Sequence, residues 1–237
     1  MSPVAERLRS AARWAIGLPV FGACCLAVWF GSFVLRGAAL ERLIKGACRL
    51  VLLAAGIRLE VEGPENAAAG RQYIVMMNHV NFFDPFVLYA GYPGWARGVE
   101  EESHFTWPLY GPTLRRLGQI PISRTDTPRA MASLARAAAL IRRRKAFSIA
   151  ILPEGTRTRD GRLGKFKKGG FVLALETGLD ILPLVQQGAY RINRRGSRLI
   201  RPGTVRLSIL PPIPVAGVTR ETLPAFIERV RARFPES

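Results

Sequence analysis

The chain has 237 residues, of which 49% are hydrophobic and 9% aromatic; this composition can fill the core of one large domain and excludes wholesale disorder. Its 35 lysines and arginines against 17 aspartates and glutamates give a net charge of +18, which predicts a polyanionic partner, either nucleic acid or an anionic lipid surface. The three cysteines and two histidines lack the spacing of a zinc site or a disulfide framework, so we expect no metal.

An uncharged segment extends from Trp14 to Leu35. As a helix it would be about 33 Å long, against roughly 30 Å for the hydrocarbon core of a bilayer. The next segment, Leu40 to Ile57, carries apolar residues at helical spacing with basic residues among them, as is typical of an interfacial helix. We therefore predict a two-helix membrane anchor over residues 1–57. Basic residues on both flanks leave its orientation open, and a cleaved signal peptide or a pair of buried core helices are the alternatives.

After Gly63 and Pro64 the pattern changes to short apolar runs that alternate with helical periodicity. This pattern predicts an α/β domain over residues 58–237, with a largely parallel or mixed sheet flanked by helices. Helices are expected from Thr127 to a basic end at Arg142 to Lys145, and from about Arg220 to Phe234. The predicted strands are Tyr73 to Met77, Gly118 to Ile122, Phe147 to Leu152, Ile181 to Val185 and Val205 to Leu210.

Polar residues directly follow the first of these strands, in the segment Asn78 to Pro85 (NHVNFFDP), where α/β proteins place ligands. His79 and Asp84 would diverge by about 140° on a regular helix, so they meet only across a turn. Pro85 favours a helix start, which predicts Asp84 as the N-cap. Asp84 can then orient the imidazole as a general base toward a substrate hydroxyl. The simpler alternative is a capping aspartate near an ordinary loop histidine.

Two later segments each place an arginine at the end of a predicted strand, Gly118 to Arg124 (GQIPISR) and Leu152 to Arg157 (LPEGTR). The guanidinium group of an arginine can donate two parallel hydrogen bonds to a phosphate. Gly155 permits a tight turn whose N–H groups can face an anion. Three lysines between residues 165 and 168 add positive charge, although a short basic turn is often only a solvated surface. Together these segments predict a phosphate-bearing substrate.

The order and spacing of these segments resemble the 1-acylglycerol-3-phosphate acyltransferase family. In that family an N-H-x4-D motif is followed by a G-x-I-x-I-x-R block, a P-E-G-T-R block and a late proline within an apolar strand. Here they are Asn78 to Asp84, Gly118 to Arg124, Pro153 to Arg157, and Pro183. The resemblance implies that His79 is the catalytic base and Asp84 its orienting residue. The substrate-binding residues that it implies are Asn78, Arg124, Glu154, Gly155, Thr156, Arg157 and, more weakly, Lys167.

The same resemblance implies transfer of a fatty acyl group to the sn-2 hydroxyl of 1-acyl-sn-glycerol 3-phosphate, which gives phosphatidic acid. The donor would be acyl-CoA or acyl carrier protein, no cofactor or metal would be needed, and the site would face the cytoplasm at the cell membrane. Leu152 stands where the family often has phenylalanine. Glu100 and Glu101 stand where it often has lysine, which leaves the acceptor head group open.

Three other functions compete with this one. The first is an enzyme that acylates another lysolipid, such as lysophosphatidylglycerol or a lyso-aminolipid, because the motifs specify the chemistry better than the head group. A catalytically silent lipid-binding protein can share the fold. A nucleic-acid-binding protein has only the positive charge in its favour, since no recognised binding motif is present, and we expect no nucleic acid partner.

Overall fold

Strands and helices alternate along most of the chain, which the computed structural model describes over residues 2–143 and 147–234. The strands are β1 (Ile57–Glu62), β2 (Ile74–Met77), β3 (Ala96–Glu101), β4 (Ile120–Ile122), β5 (Ser148–Ile151), β6 (Ile181–Gln187) and β7 (Gly203–Ile209). The helices are α1 (Pro3–Val34), α2 (Gly37–Ala54), α3 (Asp84–Gly91), α4 (Tyr110–Leu117), α5 (Thr127–Arg143), α6 (Gly169–Thr177), α7 (Ala189–Ile192) and α8 (Leu223–Arg231). Short 3-10 segments follow β1 and β3, at Pro64–Asn66 and Glu102–Thr106.

The strands of the described residues form one sheet in the order β1-β7-β6-β2-β5-β3-β4. Neighbouring strands are parallel except for β6 and β7, which are antiparallel. Because β2, β3, β4 and β5 run in the same direction, the loops that follow them gather at one edge of the sheet. The predicted mixed, largely parallel sheet flanked by helices is confirmed.

The two faces of the sheet pack against different helices. Val75 and Met77 of β2 belong to a hydrophobic cluster with α2 and α3, whereas Ile74 and Met76 pack with α5, α6 and α8. This division follows from the alternation of side chains along a strand. All four residues of β2 are buried, so the loop after β2 begins from a central and rigid position.

The predicted strands correspond to β2, β4, β5, β6 and β7, and their ends differ from the prediction by at most two residues. β1 and β3 were not predicted, because the charged residues in their sequences (IRLEVE and ARGVEE) interrupt the apolar pattern. The helix from Thr127 is confirmed as α5, and its expected end at Lys145 lies outside the described residues. The last predicted helix is shorter than expected, from Leu223 to Arg231.

The N-terminal residues form two helices, of which α1 begins at Pro3 and so includes the N-terminal arginines. Among the described helices only α1 is long and apolar enough to cross a membrane, by length and composition alone. α2 is an 18-residue helix in which charged residues lie among the apolar ones. The predicted two-helix anchor over residues 1–57 is therefore not confirmed.

Both ends of α1 are hydrogen-bonded to the sheet-containing part of the chain. Near its start, Trp14 Nε1 donates to the carbonyl oxygen of Arg198 at 2.7 Å, and Ile200 N donates to Ser10 Oγ at 2.9 Å. Near its end, Arg116 Nε of α4 donates to Ser32 Oγ at 2.9 Å. α1 therefore lies along the α/β fold instead of projecting away from it.

Candidate functional site

The loop after β2 and the first residue of α3 bring His79 and Asp84 together, as the sequence spacing requires. His79 Nδ1 lies 2.7 Å from Asp84 Oδ2. The His79 side chain is 10% exposed and Asp84 is fully buried. With Nδ1 directed at the carboxylate, Nε2 is the ring nitrogen that remains for a ligand.

Asp84 accepts four hydrogen bonds, which saturate its carboxylate. Oδ2 accepts from His79 Nδ1 and from the backbone N–H of Val80, and Oδ1 accepts from the backbone N–H of Asn81 and from Gln186 Nε2. A buried carboxylate needs such partners, because an isolated charge in a protein interior is costly. The loop is therefore wrapped around Asp84, which fixes the position of the histidine.

The prediction that Asp84 is an N-cap is wrong. Asp84 is the first residue of α3, and Phe83 occupies the cap position. Its carboxylate bonds backward to the N–H groups of the preceding loop rather than forward into the helix. Pro85 still marks the helix start, because its ring is compatible with the first turn. The carboxylate oxygens of Asp84 accept hydrogen bonds from the loop instead of from the N–H groups of the helix.

Asn78 joins the loop after β2 to β6. Its Nδ2 donates to the carbonyl oxygen of Gln186, and Gln186 N donates back to Asn78 Oδ1 at 2.8 Å. Gln186 Nε2 also donates to the Asn78 carbonyl oxygen. The Asn78 side chain thus bonds within the protein and does not line the cavity described below. Sequence reasoning missed Gln186, and its only signal was a polar residue late in an otherwise apolar strand.

Glu154 lies beneath the histidine loop. Its Oε1 accepts from His79 N at 2.7 Å, and its Oε2 accepts from Gly164 N at 2.7 Å. Burial raises the pKa of this carboxyl group, and the two N–H donors act in the opposite direction. Thr158 N also donates to the His79 carbonyl oxygen at 2.9 Å. The loop after β5 therefore supports the loop after β2, and Glu154 does not line the cavity.

A cavity of about 580 Å³ opens beside His79. Its polar lining includes four cationic residues that we call the basic wall: Arg124, Arg157, Lys167 and Lys168. Gly155 also lines the cavity and has a φ of +68°; a β-carbon there would lie 2.9 Å from Lys167 Nζ. The glycine therefore lets the lysine lie across the turn. Thr156 is exposed and is not part of this lining.

The start of α6 adds to the basic wall, which the sequence did not predict. Lys167, Lys168, Gly169 and Gly170 line the cavity, and α6 begins at Gly169. The first N–H groups of a helix have no partner within it and attract anions. The consecutive glycines in KKGG were the available signal, since they allow a ligand to approach the backbone closely.

A second histidine with a carboxylate partner lines the same cavity. His104 Nδ1 lies 3.1 Å from Glu100 Oε2, and Tyr110 Oη donates to Glu100 Oε1 at 3.5 Å. Burial, and then the charge of Glu100, raise the pKa of Tyr110 well above its usual range, so the phenol stays protonated. Trp107 packs on the imidazole with ring centroids 4.7 Å apart. No grouping of three or more potential metal ligands occurs among the described residues.

A smaller apolar cavity lies between α1, α2, α3 and α4. Phe21, Pro85, Phe86 and Tyr110 line both this cavity and the one beside His79. The ring of Phe21 packs against those of Phe86 and Tyr110, with centroids 5.8 and 5.5 Å apart. These side chains separate a mixed polar and apolar site from a space whose lining is almost entirely apolar.

Comparisons with known proteins agree with the motif resemblance. The sequence model of the family described as Acyltransferase matches residues 58–187. A 1-acyl-sn-glycerol-3-phosphate acyltransferase of Limnanthes douglasii is 31% identical over 181 residues, 76% of this chain and 63% of that protein. A chloroplastic enzyme of the same description from Arabidopsis thaliana is 32% identical over 158 residues, 66% of this chain and 44% of the relative. The chain thus spans less than two thirds of the length of these relatives.

A solved structure has the same fold over nearly the whole chain. The crystal structure of the 1-acyl-sn-glycerophosphate (LPA) acyltransferase PlsC from Thermotoga maritima superposes with a TM-score of 0.80. The match covers 98% of this chain and 97% of that chain at 24% identity, so it includes α1 and α2 as well as the sheet. Since the family model matches more than half of the sequence, this chain belongs to the acyltransferase family.

Proposed function

We propose that this chain transfers a fatty acyl group from acyl-CoA or acyl carrier protein to the sn-2 hydroxyl of 1-acyl-sn-glycerol 3-phosphate, giving phosphatidic acid. The observation that carries the proposal is a histidine held by a buried, fully hydrogen-bonded aspartate in a cavity that also contains the basic wall. The relatives named above are described as 1-acyl-sn-glycerol-3-phosphate acyltransferases, a description that names a phosphate-bearing acceptor.

The reaction needs no nucleophile from the protein. His79 Nε2 accepts the proton of the sn-2 hydroxyl while the hydroxyl oxygen bonds to the thioester carbonyl carbon. The tetrahedral intermediate then expels the thiolate by breaking the carbon–sulfur bond, and the thiolate takes the proton from the imidazolium. Asp84 stabilises that imidazolium and keeps the required tautomer. Both roles depend on the contact between His79 and Asp84, which the hydrogen bonds of the loop hold in place.

The acceptor phosphate would lie against the basic wall. Arg157 and Arg124 provide paired donors, and Lys167 lies over the Gly155 turn. The first N–H groups of α6 add donors on the same side. In this proposal Asn78 and Glu154 position the loops rather than touch the phosphate, because their polar atoms bond within the protein. Thr156 has no contact that supports its predicted role.

Residues 1–57 would hold the enzyme on the membrane, and residues 58–237 would form the catalytic domain. Large apolar side chains of α1 and α2 are exposed, including Ile16, Phe30, Val34 and Leu53. Such side chains gain free energy when they enter a bilayer. The net charge of +18 would attract the anionic lipids of a cytoplasmic leaflet, and we propose that the site faces the cytoplasm.

The decisive experiment is release of thiol from a palmitoyl thioester by the purified full chain in detergent. We expect release only when lysophosphatidate is present, and from the wild type but not from His79→Ala. A matched variant, His104→Ala, changes the other histidine of the same cavity and should retain activity. Release without any acceptor would mean a thioesterase. Binding of lysophosphatidate without release would favour the catalytically silent lipid-binding alternative.

A second acceptor class is favoured by one specific observation. Arg124, a member of the basic wall, is already paired with Glu101 at 2.9 Å. A head group that carries an ammonium group beside its phosphate, as in a lyso-aminolipid, would meet that carboxylate with the opposite charge. The acceptor choice can therefore differ from lysophosphatidate while the transfer chemistry stays the same.

A further inference from the structure

The cavity beside His79 contains acidic side chains that the proposed transfer reaction does not use. Glu100 and Glu101, at the end of β3, line it together with the basic wall. Glu100 is occupied by His104 and Tyr110. Glu101 instead contacts Arg124, a residue that the proposed function assigns to the phosphate. The head-group region therefore holds a carboxylate at the place where an anion should bind.

The sheet brings these two residues together. In the parallel pairing of β3 with β4, Glu101 is opposite Ile122, and Arg124 follows two residues later. Glu101 Oε2 lies 2.9 Å from Arg124 Nη1, and the two side chains keep 30% and 40% exposure. An ion pair that is open to solvent is weak, so a ligand can separate the two side chains and bind to them. The pair is thus part of the binding surface rather than of the core.

The neighbouring glutamate provides a natural comparison. Glu102 forms the same kind of pair with Arg129, at 3.1 Å. Neither Glu102 nor Arg129 belongs to the cavity lining. The chain therefore presents two consecutive glutamates, each paired with an arginine, of which only Glu101 faces the candidate substrate.

Charge alternation decides what fits beside Glu101. A phosphate bound to Arg124 is brought close to the Glu101 carboxylate, and two anions at short range repel each other. A cation between them removes this repulsion. If the ligand itself carries an ammonium group next to its phosphate, then Arg124, the phosphate, the ammonium and Glu101 form a row of alternating charges.

We propose that Glu101 makes the head-group site selective for lysophospholipids with an ammonium group beside the phosphate, over those whose phosphate carries only a neutral group. This rests on the proposed function, because it concerns the acceptor of the same transfer reaction. Lysophosphatidylethanolamine has the required chemistry. Lysophosphatidylglycerol has the same phosphodiester charge and a neutral diol in place of the cation. The two acceptors therefore differ in the ammonium group that would contact Glu101.

The test measures thiol release from a palmitoyl thioester by the full chain in mixed micelles of one nonionic detergent. The acceptors are lysophosphatidate, lysophosphatidylethanolamine and lysophosphatidylglycerol with the same acyl chain. We expect kcat/KM for the ethanolamine acceptor to exceed that for the glycerol acceptor by about five- to tenfold, as for one charge-assisted contact. The difference should lie mainly in KM, since the ammonium is remote from the reacting hydroxyl.

The variant Glu101→Gln keeps the shape of the side chain and removes its charge. In this variant the ratio of the two kcat/KM values should fall to about one, and KM for lysophosphatidate should fall because Arg124 is released. Glu102→Gln is the matched control and should leave the ratio as in the wild type. Thermal melts of the wild type and of both variants show whether each is folded.

The possible results separate the two proposals. A wild-type ratio of one or less, or a ratio that Glu101→Gln does not change, would overturn the inference while transfer to lysophosphatidate left the proposed function intact. An equal loss of the ratio in Glu102→Gln would also overturn it, because the effect would then be general surface charge. No thiol release with any of the three acceptors would overturn the proposed function and this inference together.

Discussion

His79 and His104 line one cavity and each contacts a carboxylate, but the two carboxylates differ in how firmly they are held. Asp84 is fully buried and accepts four hydrogen bonds, including one at 2.7 Å from His79. Glu100 keeps 13% exposure, its contact with His104 is 3.1 Å, and its further partner is Tyr110 at 3.5 Å. A general base requires a fixed tautomer and position. The comparison therefore favours His79, whose carboxylate partner is the more firmly held, as the proposed base.

The largest effect should come from removal of the two histidines in turn. We expect His79→Ala to lower kcat by about 10³-fold or more, since general-base catalysis contributes on the order of 10² to 10⁴. His104→Ala should lower kcat less than about tenfold, because the proposed reaction gives this ring no proton to transfer. Steady-state thiol release measures both. A larger loss in His104→Ala than in His79→Ala would reverse the assignment.

Replacement of the two carboxylates is expected to have the next largest effect. Asparagine at position 84 keeps one acceptor oxygen, so two of the four donors around Asp84 would face an amide NH₂ group. We expect Asp84→Asn to lower kcat by about 10²-fold and to reduce thermal stability, because unsatisfied buried donors cost about 1–3 kcal/mol each. Glu100→Gln should change kcat less than about threefold. Kinetics and thermal melts on the same samples separate the two contributions, and equal kcat losses in both variants would refute the comparison.

The smallest effect should come from the neutral partners of the two carboxylates. Gln186→Ala removes one donor to Asp84 and one to the Asn78 carbonyl oxygen, and we expect kcat to fall by about tenfold. Tyr110→Phe removes only a long bond to Glu100 and should change kcat less than about twofold. KM for the thioester and the acceptor should change little in Gln186→Ala, because Gln186 acts through Asp84. A loss confined to KM would instead place Gln186 in substrate binding.

Sequence reasoning predicted the pair of His79 and Asp84 because their five-residue spacing requires a turn and Pro85 favours a helix start, although the N-cap role given to Asp84 is wrong. It placed the arginines and Gly155 at strand ends from local patterns as well, and the structure brings Arg124, Gly155, Arg157 and Lys167 to one cavity. It missed β3, whose glutamates conceal the strand pattern. The roles of all these residues in catalysis and binding stay predictions.

Contacts between distant segments could not be read from the chain. Gln186 reaches Asp84 across 102 residues, and Glu154 reaches the N–H of His79 across 75. Both depend on the neighbouring positions of β2, β5 and β6 in the sheet. Asn78 and Glu154 looked like ligands of a phosphate because they are polar and lie in motifs. Their actual partners are backbone groups of adjacent strands and loops.

The sequence by itself determined the α/β class and the apolar N-terminal helix, and it predicted a turn between His79 and Asp84, because periodicity and turn chemistry act over a few residues. Only the tertiary structure decided which strands are neighbours, and therefore which loops share a cavity. Strand order placed Glu101 against Arg124, and Glu154 beneath His79. The order of strands depends on how the hydrophobic clusters on the two faces of the sheet pack, which involves residues far apart in the chain, and no local pattern encodes it.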